Sequence, residues 1–108
     1  MSALLAGLLM FQVLTQSVTV TAYTASFEEC GKTDGITASG RQAIEGVTVA
    51  ADHLPLGSLV EIDGHLYMVQ DRFGAGYDDK IDIFMADKTE AEKFGQQVKD
   101  IKIYKFGA

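Results

Sequence analysis

Leu59-Val60-Glu61-Ile62-Asp63-Gly64-His65-Leu66-Tyr67-Met68-Val69 sets two apolar runs on either side of an Asp-Gly pair. A two-residue type I′ turn needs positive φ at both central positions, which Asp-Gly adopts at low cost. The stretch therefore predicts a β-hairpin. Outward from it the pattern stays β-rich. Val18, Val20 and Ala22 alternate with Thr19, Thr21 and Tyr23, a period-two strand expected over Val18 to Phe27 with its exit. Val47-Thr48-Val49-Ala50 is a short strand closed by Asp52 and the turn around Pro55 and Gly57. Lys80 to Met85 and Val98 to Tyr104 are two more. Glu28 to Gly40, and the loop carrying Gly74 and Gly76, lie between strands. One helix is specified: Asp87 with Glu90 three residues on resembles a capping box, Ala91 and Phe94 form its apolar face, and Gly95 stops it.

Composition bounds what such a chain can be. Its 108 residues are 47% hydrophobic and 22% charged, with a net charge of −6. That length supports one core, and the acidic balance argues against nucleic-acid binding, which needs Lys and Arg against phosphate. A single cysteine, Cys30, excludes an internal disulfide framework. About six short strands with one helix predict an all-β fold, a small closed barrel, because closure removes exposed edges.

The charges are unevenly placed: nothing from Met1 to Phe27 is charged. Ala3 to Leu14 is almost wholly apolar. It is too short for a membrane span, which needs roughly twenty residues, and suits a secretory core of about seven to fifteen. Thr15-Gln16-Ser17 supplies small residues before a cleavage point, although no Lys or Arg precedes the apolar run. Residues 1–17 are thus expected to form a signal peptide or an apolar N-terminal segment, and 18–108 the domain. Membrane contact is expected only through that segment, if uncleaved.

Three aspartates stand out by position. Asp52 follows a strand, Asp71 ends one, and Asp82 lies inside Lys80-Ile81-Asp82-Ile83-Phe84. Asp is disfavoured within strands. Alternation turns Ile81 and Ile83 to the core and Asp82 outward with Phe84. A solvated face or a carboxylate bonded to loop amides would explain it. So would a general acid, since a partly buried carboxyl beside another carboxylate holds its proton toward neutral pH. A hard-cation site built from the three aspartates is a lesser alternative. His53 and His65 lack ligand spacing and read as surface histidines.

Taken in order, these segments resemble a known family. Thr21-Ala22-Tyr23-Thr24-Ala25-Ser26, Thr37-Ala38-Ser39-Gly40, Val49-Ala50-Ala51-Asp52 with Leu54-Pro55-Leu56-Gly57, Val69-Gln70-Asp71 and Lys80-Ile81-Asp82-Ile83-Phe84 are similar to the three-aspartate (3D) domain of bacterial cell-wall proteins. That domain is related to the catalytic barrel of membrane-bound lytic transglycosylase A. The resemblance runs from about Val18 to Tyr104, and the eleven-residue step from Asp71 to Asp82 agrees with the family's spacing.

The resemblance implies a six-stranded double-psi β-barrel and a peptidoglycan-cleaving lytic transglycosylase, acting on the β-1,4 bond between N-acetylmuramic acid and N-acetylglucosamine without cofactor or metal. It assigns the general acid/base to Asp82, with Asp71 as the neighbour that tunes and orients it. Asp52 would support the groove or hold sugar hydroxyls; Thr24, Arg41 and Gly74 would lie at the substrate. Tyr23 would be either packing or a stacking platform. The implied partner is the peptidoglycan glycan strand, and the implied location is secreted or wall-associated. The family usually has Asp-Thr-Gly-Gly-Ala-Ile-Lys-Gly where this chain has Asp71-Arg72-Phe73-Gly74-Ala75-Gly76-Tyr77-Asp78, a bulkier, more charged loop. Rivals are a peptidoglycan hydrolase using Asp71 and Asp82 as a pair, and a glycan-binding barrel without catalysis.

Overall fold

Asp63 and Gly64 take positive φ, 52° and 78°, and close the expected hairpin. The computed structural model describes residues 11–25 and 35–106. In chain order its elements are β1 (Phe11–Tyr23), β2 (Thr48–Ala50), β3 (Leu59–Ile62), β4 (His65–Asp71), β5 (Lys80–Phe84), α1 (Lys88–Phe94) and β6 (Gln97–Phe106). The strands close into a six-stranded barrel in the order β1-β5-β2-β4-β3-β6. β1 runs parallel to β5, and β2 parallel to β4; the other neighbours are antiparallel. This order is compatible with the double-psi connectivity.

The interior is built from one parity of each strand. Val18 and Val20 of β1, Val49 of β2, Val60 of β3, Val69 of β4, Ile81 of β5 and Ile101 of β6 are all essentially inaccessible. Branched side chains suit both the strand backbone and the narrow bore. Each is worth about 1.5–3 kcal/mol when fully buried. Ile81 and Ile83 face this core as alternation requires, leaving Lys80, Asp82 and Phe84 on the outer side of β5.

The helix follows its local signals. The Asp87 carboxylate accepts from the Thr89 amide at 2.8 Å, Ala91 is buried, and Gly95 ends the helix at φ 65°. Among the described residues no helix is long and apolar enough to cross a membrane.

Two boundaries differ from expectation. β1 begins at Phe11, not Val18, and it ends at Tyr23. Phe11 to Val20 pair residue for residue with Phe106 to Gln97 of β6, so Phe11–Ser17 is strand although its composition resembles a leader. An apolar run has no period to separate strand from secretory core; the partner strand decides it. β6 in turn extends from Gln97 to Phe106, and Val98 is 74% exposed, on the opposite parity from Ile101 and Ile103. Residues 1–10 and Cys30 lie outside the described residues.

Candidate functional site

One register row carries the site. Thr21 of β1 pairs with Asp82 of β5, Asp82 with Ala50 of β2, and Ala50 with Asp71 of β4. Two strand spacings of about 4.8 Å put the backbones of Asp82 and Asp71 about 10 Å apart. Asp71 shares Ala50's level because of an irregularity: the register steps from Val49↔Val69 to Ala50↔Asp71, passing over Gln70. A bulge of this kind re-aims the residue that follows it. Gln70 itself is buried, accepting from the Thr48 hydroxyl at 2.6 Å.

Above this row lies a second apolar cluster, Tyr23, Ala50 and Phe84, against which Ala25 and Ala43 pack. Tyr23 and Phe84 meet edge to face with centroids 5.6 Å apart. Tyr23 crosses over Phe84 and Ala50 and donates from its hydroxyl to Asp71 Oδ2 at 2.9 Å. It is only 8% exposed and therefore packs as a strut, not as a stacking platform.

The three aspartates sit in chemically different surroundings. Asp52 Oδ1 accepts from the amides of Phe73 and Gly74, and Oδ2 from those of Ala75, Gly76 and Tyr77, all between 2.8 and 3.2 Å. Positive φ at Gly74 and Gly76 lets the loop curl its amides inward. Burial pulls the Asp52 pKa upward, but the four amides from Gly74 to Tyr77 outweigh it and hold the carboxyl at about 2. Asp71 Oδ1 accepts from the amides of Ala38 at 3.0 Å and Arg72 at 2.9 Å. It thereby docks the Thr37–Gly40 turn on β4, helped by the Ser39 amide donating to the Gln70 carbonyl. Asp82, half-buried, accepts at Oδ1 from the Thr21 hydroxyl at 2.8 Å.

Of the other expected contacts, Thr24 is buried, just past the end of β1, and Arg41 is exposed after the docked turn. Gly74 spends its amide on Asp52. The departure at Arg72 proves structural: its Nη1 donates to the carbonyls of Ala51, at 2.6 Å, and Leu54. The guanidinium turns toward the β2 exit, and no motif marks carbonyl acceptors in advance. The loop's bulk sits in Phe73 and Tyr77, edge to face at 5.3 Å, with the Lys80 ammonium 4.2 Å from the Tyr77 centroid.

His53 is not a plain surface residue. One ring nitrogen, Nε2, bonds the Gln16 side-chain oxygen at 2.9 Å, and Nδ1 is buried with no partner among the described residues. Burial holds its pKa below the ordinary range, against the pull of Asp78, Asp79 and Asp52. His65 is exposed and bonds the Gly46 carbonyl at 2.7 Å. Among the described residues no three His, Cys, Asp or Glu side chains converge on a metal position.

Comparison with known proteins bears on this arrangement. No family model matches the chain. Over 90 residues, 81% of its length, it is 33% identical to a protein of Bacillus subtilis (strain 168) named cell wall shaping protein YabE. The chain spans 22% of that relative's length, so the likeness is between this barrel and one segment of a longer protein.

Proposed function

We propose that this barrel cleaves peptidoglycan glycan strands as a lytic transglycosylase, with Asp82 as general acid and then base. The similarity to a cell wall shaping protein supports a role at the cell wall. The observation that carries the chemistry is the hydrogen bond from Thr21 to Asp82. Asp52 takes five amides and Asp71 takes two amides and a phenol, partners that fix carboxylates in place. Asp82 Oδ1 accepts from the Thr21 hydroxyl. A threonine hydroxyl donates to a carboxylate or, after rotation, accepts from a carboxylic acid, whereas an amide only donates. Thr21 therefore suits both protonation states that a proton-shuttling carboxyl must visit.

In this reading Asp82 protonates the glycosidic oxygen as positive charge develops at muramic C1. The carboxylate then takes the proton from the muramic C6 hydroxyl, which attacks C1 and closes a 1,6-anhydro ring. One carboxyl serves twice because the nucleophile is internal. Hydrolysis would instead need a second carboxylate, roughly 5–9 Å from the first, to act on water or on C1. Asp71 is ill suited, since both its oxygens accept from groups that hold the turn and Tyr23 in place. Asp71 is accordingly a positioning residue. In this scheme the domain works at the wall.

Mass spectrometry of muropeptides after incubation with purified peptidoglycan tests it. The wild type should release 1,6-anhydro-muramic ends, and Asp82→Asn should lower that release by about 10²-fold or more. Reducing muramic ends would establish hydrolysis. No release by the wild type would leave a glycan-binding barrel.

A further inference from the structure

Phe73 and Tyr77 stand in the loop between Asp71 and Asp82, and neither has a part in the chemistry above. The backbone of that loop is fixed, because Asp52 takes every amide from Phe73 to Tyr77. The Tyr77 ring is fixed as well. It meets the Phe73 ring at 88° with centroids 5.3 Å apart, and the Lys80 ammonium lies 4.2 Å from its centroid. Tyr77 nevertheless remains 39% exposed. Tyr23, the other aromatic considered for stacking, is 8% exposed and committed to Asp71. A ring held by its backbone, by Phe73 and by Lys80, yet open to solvent, has little freedom left to lose when a ligand packs on it.

Strand geometry places this ring relative to Asp82. Lys80 and Asp82 share the outer side of β5, two residues or about 6.6 Å apart. From Lys80 the ammonium extends to the Tyr77 ring. The ring is therefore one strand step and one lysine side chain away from Asp82. In the other direction along β5 the face is closed, since Tyr23 and Phe84 are each 8% exposed and Ala25 and Ala43 pack on them. A long ligand seated at Asp82 and following β5 thus has its open course toward Lys80 and Tyr77. A glycan strand is such a ligand. It repeats the same pyranose unit, so its length does not limit which side chains it meets. Each pyranose presents a face of C–H bonds, and the negative face of an aromatic ring takes such positively polarised hydrogens.

We propose that Tyr77 is a glycan-stacking platform on the Lys80 side of Asp82, its exposed ring surface packing on the C–H face of a pyranose while Phe73 and Lys80 hold it in place. The proposal rests on the peptidoglycan reading above and names the residue that grips the strand beyond the bond to be cut. Tyr77 binds and touches no reacting atom.

The test titrates the full chain with a soluble hexamer of β-1,4-linked N-acetylglucosamine, following affinity by calorimetry and contacts by NMR. In the wild type, nuclear Overhauser contacts should join the Tyr77 ring protons to sugar ring protons. Tyr77→Ala should weaken binding about fivefold or more, as truncation of an anchoring tyrosine does, and Tyr77→Phe, which keeps the ring, should stay within about twofold of the wild type. Slow amide exchange at residues 73–77 shows that the Asp52 clasp survives in Tyr77→Ala; if it does not, the wild-type contacts decide. Absence of those contacts, or equal affinity of wild type and Tyr77→Ala, overturns the proposal. So does a loss in Tyr77→Phe as large as in Tyr77→Ala, which would trace binding to the hydroxyl. Muropeptide release separates the two readings. Tyr77→Ala should raise KM for peptidoglycan about fivefold with kcat nearly unchanged, the mark of lost binding that is equal in ground and transition states. Binding through Tyr77 without release of anhydro ends overturns the catalytic assignment alone; release with KM unchanged in Tyr77→Ala overturns the platform alone.

Discussion

The Tyr23 hydroxyl donates to Asp71 Oδ2 at 2.9 Å and so ties the end of β1 to the end of β4, over β5 and β2. The tie depends on Ala50 beneath it, since the ring lies in the Tyr23–Ala50–Phe84 cluster. It also depends on the passed-over Gln70, which brings Asp71 to Ala50's level. Asp71 then holds the Thr37–Gly40 turn through the Ala38 amide. Removing the hydroxyl and removing the carboxylate should therefore differ. Tyr23→Phe loses one hydrogen bond and should cost about 1 kcal/mol in chemical denaturation. Asp71→Ala strands three donors and should cost about 2–3 kcal/mol, with faster amide exchange at Ala38. Equal losses in the two variants would place the cost in the phenol alone.

Thr21 should act through Asp82, and a pH profile distinguishes that role from packing. Thr21→Val keeps the shape of the side chain and removes the donor to Asp82 Oδ1. The carboxylate form then loses a charge-assisted bond, stronger than the neutral one the acid form loses, so the ionisation of Asp82 should move upward. The prediction is a pH–rate profile for anhydro-muropeptide release displaced toward higher pH, with Thr21→Ser restoring the wild-type curve. A uniform drop in rate at every pH would mean that Thr21 only packs.

Asp52 makes a prediction about acid stability. Its pKa falls from 3.8 to about 2 in the folded domain, because the loop amides outweigh burial. A group depressed on folding stabilises the native state fully above its unfolded pKa and loses that contribution as pH falls through the folded value. The domain should thus lose stability between about pH 4 and pH 2 on this account, and Asp52→Asn should flatten that part of the curve. The measurement is denaturant midpoint against pH for both proteins. Parallel curves would show that other carboxylates set the acid limb.

How much of this was legible before the structure depends on how local each signal is. Asp63-Gly64 and Asp87 with Gly95 act on their own neighbours, and both the turn and the helix caps form as the residues suggest. The parity of Ile81, Asp82 and Ile83 is likewise local and correct. Asp52's five amide partners lie 21 to 25 residues away, and a carboxylate's choice among loops leaves no pattern in sequence. The start of β1 was hidden for a similar reason. Phe11 to Ser17 is strand because β6 runs beside it, and a uniformly uncharged stretch carries no mark of that partner.

Arg72 and Asp52 act on the same turn from opposite directions, which yields the last prediction. Ala51 and Leu54 carbonyls face the Arg72 guanidinium, while Asp52, between them, faces the amides of residues 73–77. One side chain from the loop holds the turn, and one side chain from the turn holds the loop. Arg72→Ala leaves two carbonyls without their donor and should cost about 1–3 kcal/mol. Arg72→Lys should recover part of this, because an ammonium reaches carbonyl oxygens but lacks the planar fork. Because each clamp positions the other's partners, the losses should not add. In a double-mutant cycle, Arg72→Ala combined with Asp52→Asn should cost less than the sum of the single changes by about 0.5 kcal/mol or more. Additive losses would show two independent tethers. Amide exchange at residues 73–77 reports the same coupling from the loop's side, and should quicken in Arg72→Ala even though no Asp52 contact has been removed.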